Sequence, residues 1–247
     1  MSYNPMSLEG KTILVTGASS GIGRAIAIEC SKLGATVIAT GRNEERLAET
    51  MVQMADGAHT AIAADIAADE GITALMAQIP VLDGVVHVAG TDKLTPTPFV
   101  KRSNIEPILG INLLAPMTLQ AALLKKKRIN NNASLLFISS IAAIAGQAGQ
   151  ASYAASKAGL IGYMKVLALE LGTRGIRANC ILPGMVETPL IHSMHDEEIM
   201  HADRQKYPLR RYGRPEEVAH LAAFLLSDAA AWITGSNYVI DGGFTRR

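Results

Sequence analysis

Thr16-Gly17-Ala18-Ser19-Ser20-Gly21-Ile22-Gly23 decides the fold. The run before it, Thr12 to Thr16, is short, apolar and β-rich. The stretch after it, Gly21 to Leu33, has a helical pattern, and Gly34 is a plausible stop. A glycine-rich turn between a strand and a helix is a phosphate cradle. Gly17 permits a sharp turn, Gly21 lets backbone approach a pyrophosphate, and Gly23 lets the helix pack close to the sheet. The helix start then offers unpaired N–H groups and positive potential to the anion.

The same alternation runs outward along the chain. Further strand-like runs lie at Thr36–Thr40, His59–Ala63, Gly84–Ala89, Ser134–Ser139, Arg177–Leu182 and Tyr238–Ile240. Helical stretches separate them: Asn43 to Met54 with Asn43 as cap, Asp69 to Ala77, Ser152 to Gly172 and Pro215 to Ser227. One long helix is expected from about Ser103 to Lys127, bent at Pro107 and Pro116. The strand runs are continuously apolar, as expected of strands buried on both faces. The pattern predicts one α/β domain over residues 1–247. It is a doubly wound, Rossmann-type, mostly parallel seven-stranded sheet with helices on both faces. Residues 187–214, rich in Met, His and charge, read as a mobile substrate flap.

Composition narrows the function. A formal net charge of +1 gives no electrostatic case for nucleic acid or a membrane surface as main partner. No uninterrupted apolar run reaches the roughly 18 residues of a membrane span, and no secretory signal is evident, so a cytoplasmic location is expected. Cys30 and Cys180 are isolated and read as buried thiols. His192, His195 and His201 lack a completing carboxylate–Cys set, so no metal is expected.

Tyr153 and Lys157 stand four apart at the start of a helix and so share a face. Ser140 follows the strand that ends Phe137-Ile138-Ser139. A tyrosine ionises near about 10, and a nearby ammonium would bring it toward neutral pH as an acid–base group. A serine hydroxyl can donate to a developing oxyanion.

The glycine spacing, with three residues between the first two glycines, resembles the short-chain dehydrogenase/reductase family, as do Ser140, Tyr153 and Lys157 in order and spacing. The resemblance covers roughly Leu8 to Phe244. It implies hydride transfer between a nicotinamide cofactor and a carbonyl or secondary alcohol, with Asn112, Ser140, Tyr153 and Lys157 as the catalytic set. Lys157 would also bond the nicotinamide ribose, and Asn112 would hold a water linking Lys157 to solvent. The cofactor site implied is Gly17, Ser19, Ser20, Gly21, Ile22 and Gly23 at the turn. Asp65 and Ile66 would lie beside the adenine, with Ala89 and Gly90 along the cofactor. Pro183, Gly184, Val186 and Thr188 would hold the carboxamide. One mark departs: His87-Val88 stands where the family has two asparagines that brace the sheet, which puts local stability in doubt rather than catalysis.

The second strand ends Thr40-Gly41-Arg42. Gly41 brings no carboxylate for a ribose 2′-hydroxyl, and Arg42 can fork onto a 2′-phosphate, so NADP(H) is expected over NAD. Arg24 could add positive potential, while Glu44 and Glu45 could neutralise Arg42. Gly149 to Tyr153 and Gly172 to Arg177 are similar to bacterial 3-oxoacyl-carrier-protein reductases. That implies a small-molecule or carrier-bound carbonyl substrate. Arg174 and Lys125-Lys126-Lys127-Arg128 could then receive an acidic carrier, although the run also suits a helix C-terminus. Met185, Leu190, Ile191 and Met194 are candidates for an apolar pocket wall. The family also implies a homo-oligomer, a tetramer built on the helices near 103–127 and 152–172 and the last strand. Two rivals remain: an NAD-dependent dehydrogenase of a sugar, steroid or small alcohol, and a non-enzymatic NADPH-sensing or scaffold protein.

Overall fold

The computed structural model describes residues 4–189, 191 and 197–246. Seven strands form one sheet: β1 Thr12–Thr16, β2 Thr36–Gly41, β3 Thr60–Ala63, β4 Leu82–His87, β5 Ile129–Ile138, β6 Arg177–Pro183 and β7 Asn237–Ile240. Their order is β3-β2-β1-β4-β5-β6-β7, and every pairing is parallel. The sheet is therefore wholly rather than mostly parallel. The chain moves from β1 out to β3, then returns to place β4 on the other side of β1. That reversal opens a crevice at the carboxyl ends of β1 and β4.

The helices are α1 Gly21–Lys32, α2 Glu44–Gln53, α3 Asp69–Gln78, α4 Arg102–Leu109, α5 Ala115–Lys125, α6 Ala151–Leu171, α7 Glu197–Arg204 and α8 Pro215–Leu226. They lie on both faces, which explains the unbroken apolar strands. Leu14, Leu135, Phe137, Cys180 and Leu182 join one core with Leu119, Leu123, Leu160 and Met164. Ile13, Val15, Leu136 and Ile181 join the other with Ile26, Cys30, Val218 and Ala222. Neighbouring strand residues thus serve opposite layers, as the two-residue period of a strand requires.

The expected long helix is interrupted. A π-helical turn, Gly110–Leu114, separates α4 from α5 and carries Asn112. A local widening of the helix, rather than the prolines alone, makes the break. By length and apolarity Arg102–Lys125 could cross a membrane, with a mean hydropathy of 1.5. In this fold Ile108, Leu119 and Leu123 are buried. Strand β5 begins at Ile129, earlier than expected, through Asn132 with φ of 63° and a register shift against β4. Asparagine is among the residues that tolerate that conformation.

Within residues 187–214, positions 190 and 192–196 lie outside the described residues, and the others are more regular than expected. They contain α7 and a small cluster of buried Met200, Tyr207 and Tyr212. The ends of the excursion are joined: Glu187 N donates to Gly213 O at 2.9 Å, and Gly213 N to Met185 O at 2.9 Å.

Candidate active site

The crevice is a cleft of about 480 Å³. The glycine turn forms its floor. Gly17 has φ of 65°, and a Cβ there would lie 2.9 Å from the Ala89 backbone. Gly21 has φ of 54° and faces Thr188. A Cβ on Gly23 would overlap the Gly17 carbonyl, so Gly23 serves the turn itself, more directly than packing against the sheet. Ser20 caps α1 without a side-chain bond, leaving the first N–H groups of the helix for an anion. Thr16 braces the turn from below: its Oγ1 accepts from Val88 N at 3.0 Å and Ala89 N at 3.2 Å.

Every residue expected around the cofactor lines this cleft: Ser19, Ile22, Arg42, Asp65, Ile66, Gly90, Pro183, Gly184, Val186 and Thr188 as well as the turn glycines and Ala89. Asp65 also accepts from Ala67 N at 3.1 Å, so it shapes its own turn as it faces the cleft. Arg42 is exposed at the end of β2 and makes no ion pair among the described residues. Glu44 and Glu45 occupy the first turn of α2, where Asn43 caps Arg46 N at 2.8 Å. Their charges serve the helix start. Arg24 does not add free positive potential. Its guanidinium is held by Ser19 O, Thr50 Oγ1, Arg46 O and Glu49, the last at 2.8 Å. Unpaired first-turn N–H groups, glycines that leave room for a ligand and an unpaired guanidinium fit a phosphorylated dinucleotide.

Ser140, at the end of β5, is hydrogen-bonded to Tyr153 from the first turn of α6. Burial pushes the Tyr153 phenol up to about 12, the Ser140 bond acts to lower it, and the Asp92 charge raises it. Lys157 is buried, and its Nζ donates to Ile138 O at 2.9 Å. Burial takes its ammonium down to about 8, against the opposing pull of Cys180 and Asp92. The Nζ stands 5.7 Å from the Tyr153 ring centroid. The expected lowering of Tyr153 by Lys157 does not act here; burial of the phenol sets the direction, and the group that lowers it is Ser140.

Asn112 is buried on the π turn. Its Oδ1 accepts from Thr91 N at 2.8 Å, and its Nδ2 donates to Thr91 O at 2.9 Å and Ser156 Oγ at 3.0 Å. A Cβ on Gly90 would sit 3.0 Å from Asn112 Oδ1 and 3.4 Å from Lys157 Nζ, so a glycine is what lets these groups converge.

His87 replaces the usual bracing with its own. Its ring stacks on Phe137 at 4.7 Å, and Nε2 meets Gln120 Oε1 at 3.1 Å. Burial lowers the imidazole to about 4, so it is neutral at pH 7. Nε2 then carries the proton, and Nδ1 is left without a partner.

Four site residues, Asp92, Gln150, Tyr207 and Phe244, went unread as such in the sequence. Asp92 lines the cleft and accepts from Gln150 Nε2 at 2.6 Å and Lys93 N at 2.7 Å. Gln150 also lines it. A lone acid two residues after Gly90 was the available signal for Asp92. Tyr207 and Phe244 close the C-terminal side, their rings 4.8 Å apart. Met185 and Ile191 line the cleft as expected, whereas Leu190, Met194, His192 and His195 lie outside the described residues. Among the described residues no group of acids, histidines or cysteines could hold a metal.

Arg174 is tied to β5, donating to Asn131 Oδ1 at 3.1 Å and Ile129 O at 2.7 Å. Lys125 to Arg128 close α5. Lys127 takes φ of 54°, and Arg128 N bonds Leu123 O at 2.8 Å. The run does what basic residues at a helix C-terminus do.

A family model described as Enoyl-(Acyl carrier protein) reductase matches residues 17–245. The 3-oxoacyl-[acyl-carrier-protein] reductase of Rickettsia bellii is 39% identical over 96% of this chain and 98% of its own. The D-threitol dehydrogenase of Mycolicibacterium smegmatis is 36% identical over 96% and 94%. A solved structure from Beutenbergia cavernae, assigned as an NAD(P)-dependent gluconate 5-dehydrogenase with NADP bound at low occupancy, superposes with a TM-score of 0.89. It shares 32% identity and covers 99% of this chain and 100% of its own. With its glycine turn, its wholly parallel sheet and these relatives, the chain belongs to the short-chain dehydrogenase/reductase family of oxidoreductases.

Proposed function

We propose that this protein is an NADP(H)-dependent oxidoreductase acting on a carbonyl or secondary alcohol, with Tyr153 as its proton donor. The observation that carries this reading is the convergence of Ser140, Tyr153 and Lys157 at the carboxyl edge of the sheet, beside the glycine turn. NADPH, when bound, supplies the hydride. The chain does the rest. The first-turn N–H groups of α1 and the turn from Gly17 to Gly23 hold the pyrophosphate. Arg42 takes the 2′-phosphate, and Asp65 and Ile66 flank the adenine. Val186 and Thr188, after Pro183-Gly184, orient the nicotinamide carboxamide.

A phenol pushed up to about 12 is protonated at neutral pH, so the Tyr153 hydroxyl can give its proton to the oxygen that gains charge. Ser140 donates to the same oxygen and holds Tyr153 in place. Lys157 is poised to steady the phenolate left behind and to bond the ribose. Asn112 holds a water that passes the replacing proton to Lys157. Its side chain is committed to Thr91 and Ser156, so its carbonyl is the group for that water. Pro116, four residues on, has no N–H to give that carbonyl in α-helical register. Residues 187–214 cover the substrate end as a flap. The protein assembles as a tetramer in the cytoplasm. Its contact faces are α4–α5 and α6, where Leu114 and Leu169 are exposed, and the edge strand β7.

Two substrate classes come from the relatives. A 3-oxoacyl thioester on a carrier protein is supported by the names of relatives at 39–40% identity. A sugar or polyol is favoured by one observation in the site: Asp92 and Gln150 beside Tyr153. The test follows loss of NADPH or NADH absorbance with a 3-oxoacyl thioester, simple ketones and ketoses, in wild type and Tyr153→Phe. NADPH-preferring turnover that Tyr153→Phe abolishes is the expected result. Cofactor binding without turnover on any substrate would favour a sensor.

A further inference from the structure

We propose that Ser156 is a positioning residue that sets the register between the catalytic helix α6 and the π turn, and with it the rate at which the replacing proton reaches Lys157. The inference rests on hydride transfer with Tyr153 as proton donor and assigns a further residue to that reaction. Ser156 lies between Tyr153 and Lys157 on α6 and is fully buried. Its Oγ donates to Tyr153 O at 2.6 Å and accepts from Asn112 Nδ2 at 3.0 Å. The directions of these bonds are settled. Thr91 N can only donate and Thr91 O can only accept, so the two bonds to Thr91 fix which end of the Asn112 amide is nitrogen. The second Nδ2 hydrogen then goes to Ser156, whose own hydrogen is free for the Tyr153 carbonyl.

An apolar contact joins the same two elements. Leu113 packs on Gly159, three residues along α6 from Ser156, where a Cβ would come within 2.8 Å of the leucine side chain. That contact sets how close the turn and the helix lie, but apolar surfaces can slide over one another. The Asn112–Ser156 bond is directional and stops the slide. Among the described residues it is the one side-chain hydrogen bond between Gly110–Leu114 and α6. Without it the Asn112 side chain would be tied to Thr91 alone, beyond the end of β4. The Asn112 carbonyl, which holds the water, and Lys157, which receives the proton, would then ride on elements no longer held in register.

The test compares wild type with Ser156→Ala and with Ser134→Ala. The second variant loses a similarly buried bond, 2.9 Å to Leu225 O, between β5 and α8. Alanine favours a helix, so Ser156→Ala keeps its fold. NADPH oxidation is followed with an acetoacetyl thioester, 2-butanone and erythrulose, in water and in heavy water. Ser156→Ala should lose about 10- to 100-fold in kcat, as a group held slightly out of place does, with KM for NADPH and for the carbonyl little changed. Its kcat should also show a larger solvent isotope effect than wild type, because proton return has become slow. Hydrogen exchange at residues 110–114, read by mass spectrometry, should quicken in Ser156→Ala and not in Ser134→Ala. Melting temperatures should fall alike in the two variants, which separates register from stability. Unchanged kcat and isotope effect in Ser156→Ala would overturn the inference and leave the carbonyl-reductase reading standing. An equal loss of kcat in both variants would also overturn it, as would unchanged exchange at residues 110–114. Wild type that reduces none of the three carbonyls with NADPH or NADH would remove the hydride-transfer reading, and the inference with it.

Discussion

Replacing Gly17 by alanine should unfold the dinucleotide cradle first and the enzyme soon after. Two costs add at this position. The backbone sits at φ of 65°, where an L-side chain costs about 1–2 kcal/mol. The new Cβ would also lie 2.9 Å from the Cα and N of Ala89, which are backbone atoms that cannot rotate away. Overpacking of that kind costs about 1–3 kcal/mol. The total is roughly 2–5 kcal/mol. For a chain of this size each kcal/mol moves the melting temperature by about 2–4 °C, so a fall on the order of 10 °C is expected. Gly162, inside α6, has open space around its would-be Cβ, and alanine there should raise the melting temperature through helix propensity worth about 1 kcal/mol. Gly21→Ala should fall between the two, because its strained φ meets only the Thr188 side chain. The assay is thermal unfolding with and without NADP+. The cofactor should stabilise wild type and Gly162→Ala and leave Gly17→Ala unmoved. If Gly17→Ala melts with wild type and still gains stability from NADP+, the close approach to Ala89 does not constrain the turn and the reasoning fails. A drop for Gly162→Ala would instead place that face of α6 inside a subunit contact.

Arg42→Ala should lower the NADPH-to-NADH ratio of kcat/KM by about 10- to 100-fold, mostly by weakening NADPH, since a charge-assisted fork onto phosphate is lost. An unchanged ratio would mean another group reads the 2′-phosphate. Tyr153→Phe should cut turnover at least about 100-fold while leaving NADP+ affinity within a few fold, measured by calorimetry. His87 should make the fold acid-sensitive. Its imidazole is lowered from 6.5 to about 4, so between those values the unfolded chain binds a proton that the native chain refuses. Stability is fully present above 6.5 and declines as pH falls toward 4, by about 3 kcal/mol. Denaturant titrations at pH 7 and pH 4.5 check this, and His87→Asn should flatten the difference.

The strands and the turn were legible because each carries a local signature. Thr12 to Gly23 needs only apolar residues, three glycines and a helical run to be read. The parallel α/β class followed from alternation, since parallel neighbours need helical crossovers, while the strand order was given by the structure. The π turn at Asn112 was not legible, because one extra residue in a helical turn leaves no periodic mark. Arg24 misled for another reason. Its position beside the turn suggested a phosphate ligand, yet Glu49, a full helix away, claims its charge. The exchange at His87-Val88 was visible as a departure. Its repair by Phe137 and Gln120 depends on residues 33 to 50 positions distant, which sequence spacing does not relate. Asp92 and Gln150 were hidden the same way, 58 residues apart and joined only in the folded site.

The bridge between Val186 and Gly213 gives the molecule a seam. The described residues between those two leave the sheet, and Leu209 N also reaches Gly242 O beyond β7. Strand β6 ends before the seam and α8 begins after it, and Arg211 inside the excursion is tied to α8 through Glu217 at 2.7 Å. Doubling the length of a loop whose ends already meet costs only about 0.6 kcal/mol. Beyond Thr188, which belongs with the cofactor site, the roof of the cleft can therefore be exchanged, lengthened or shortened between the joined ends while the glycine turn and the proton donor stay fixed. A lineage could acquire new substrates by rewriting about one tenth of its chain, and a protein engineer could graft a relative's excursion at the same seam.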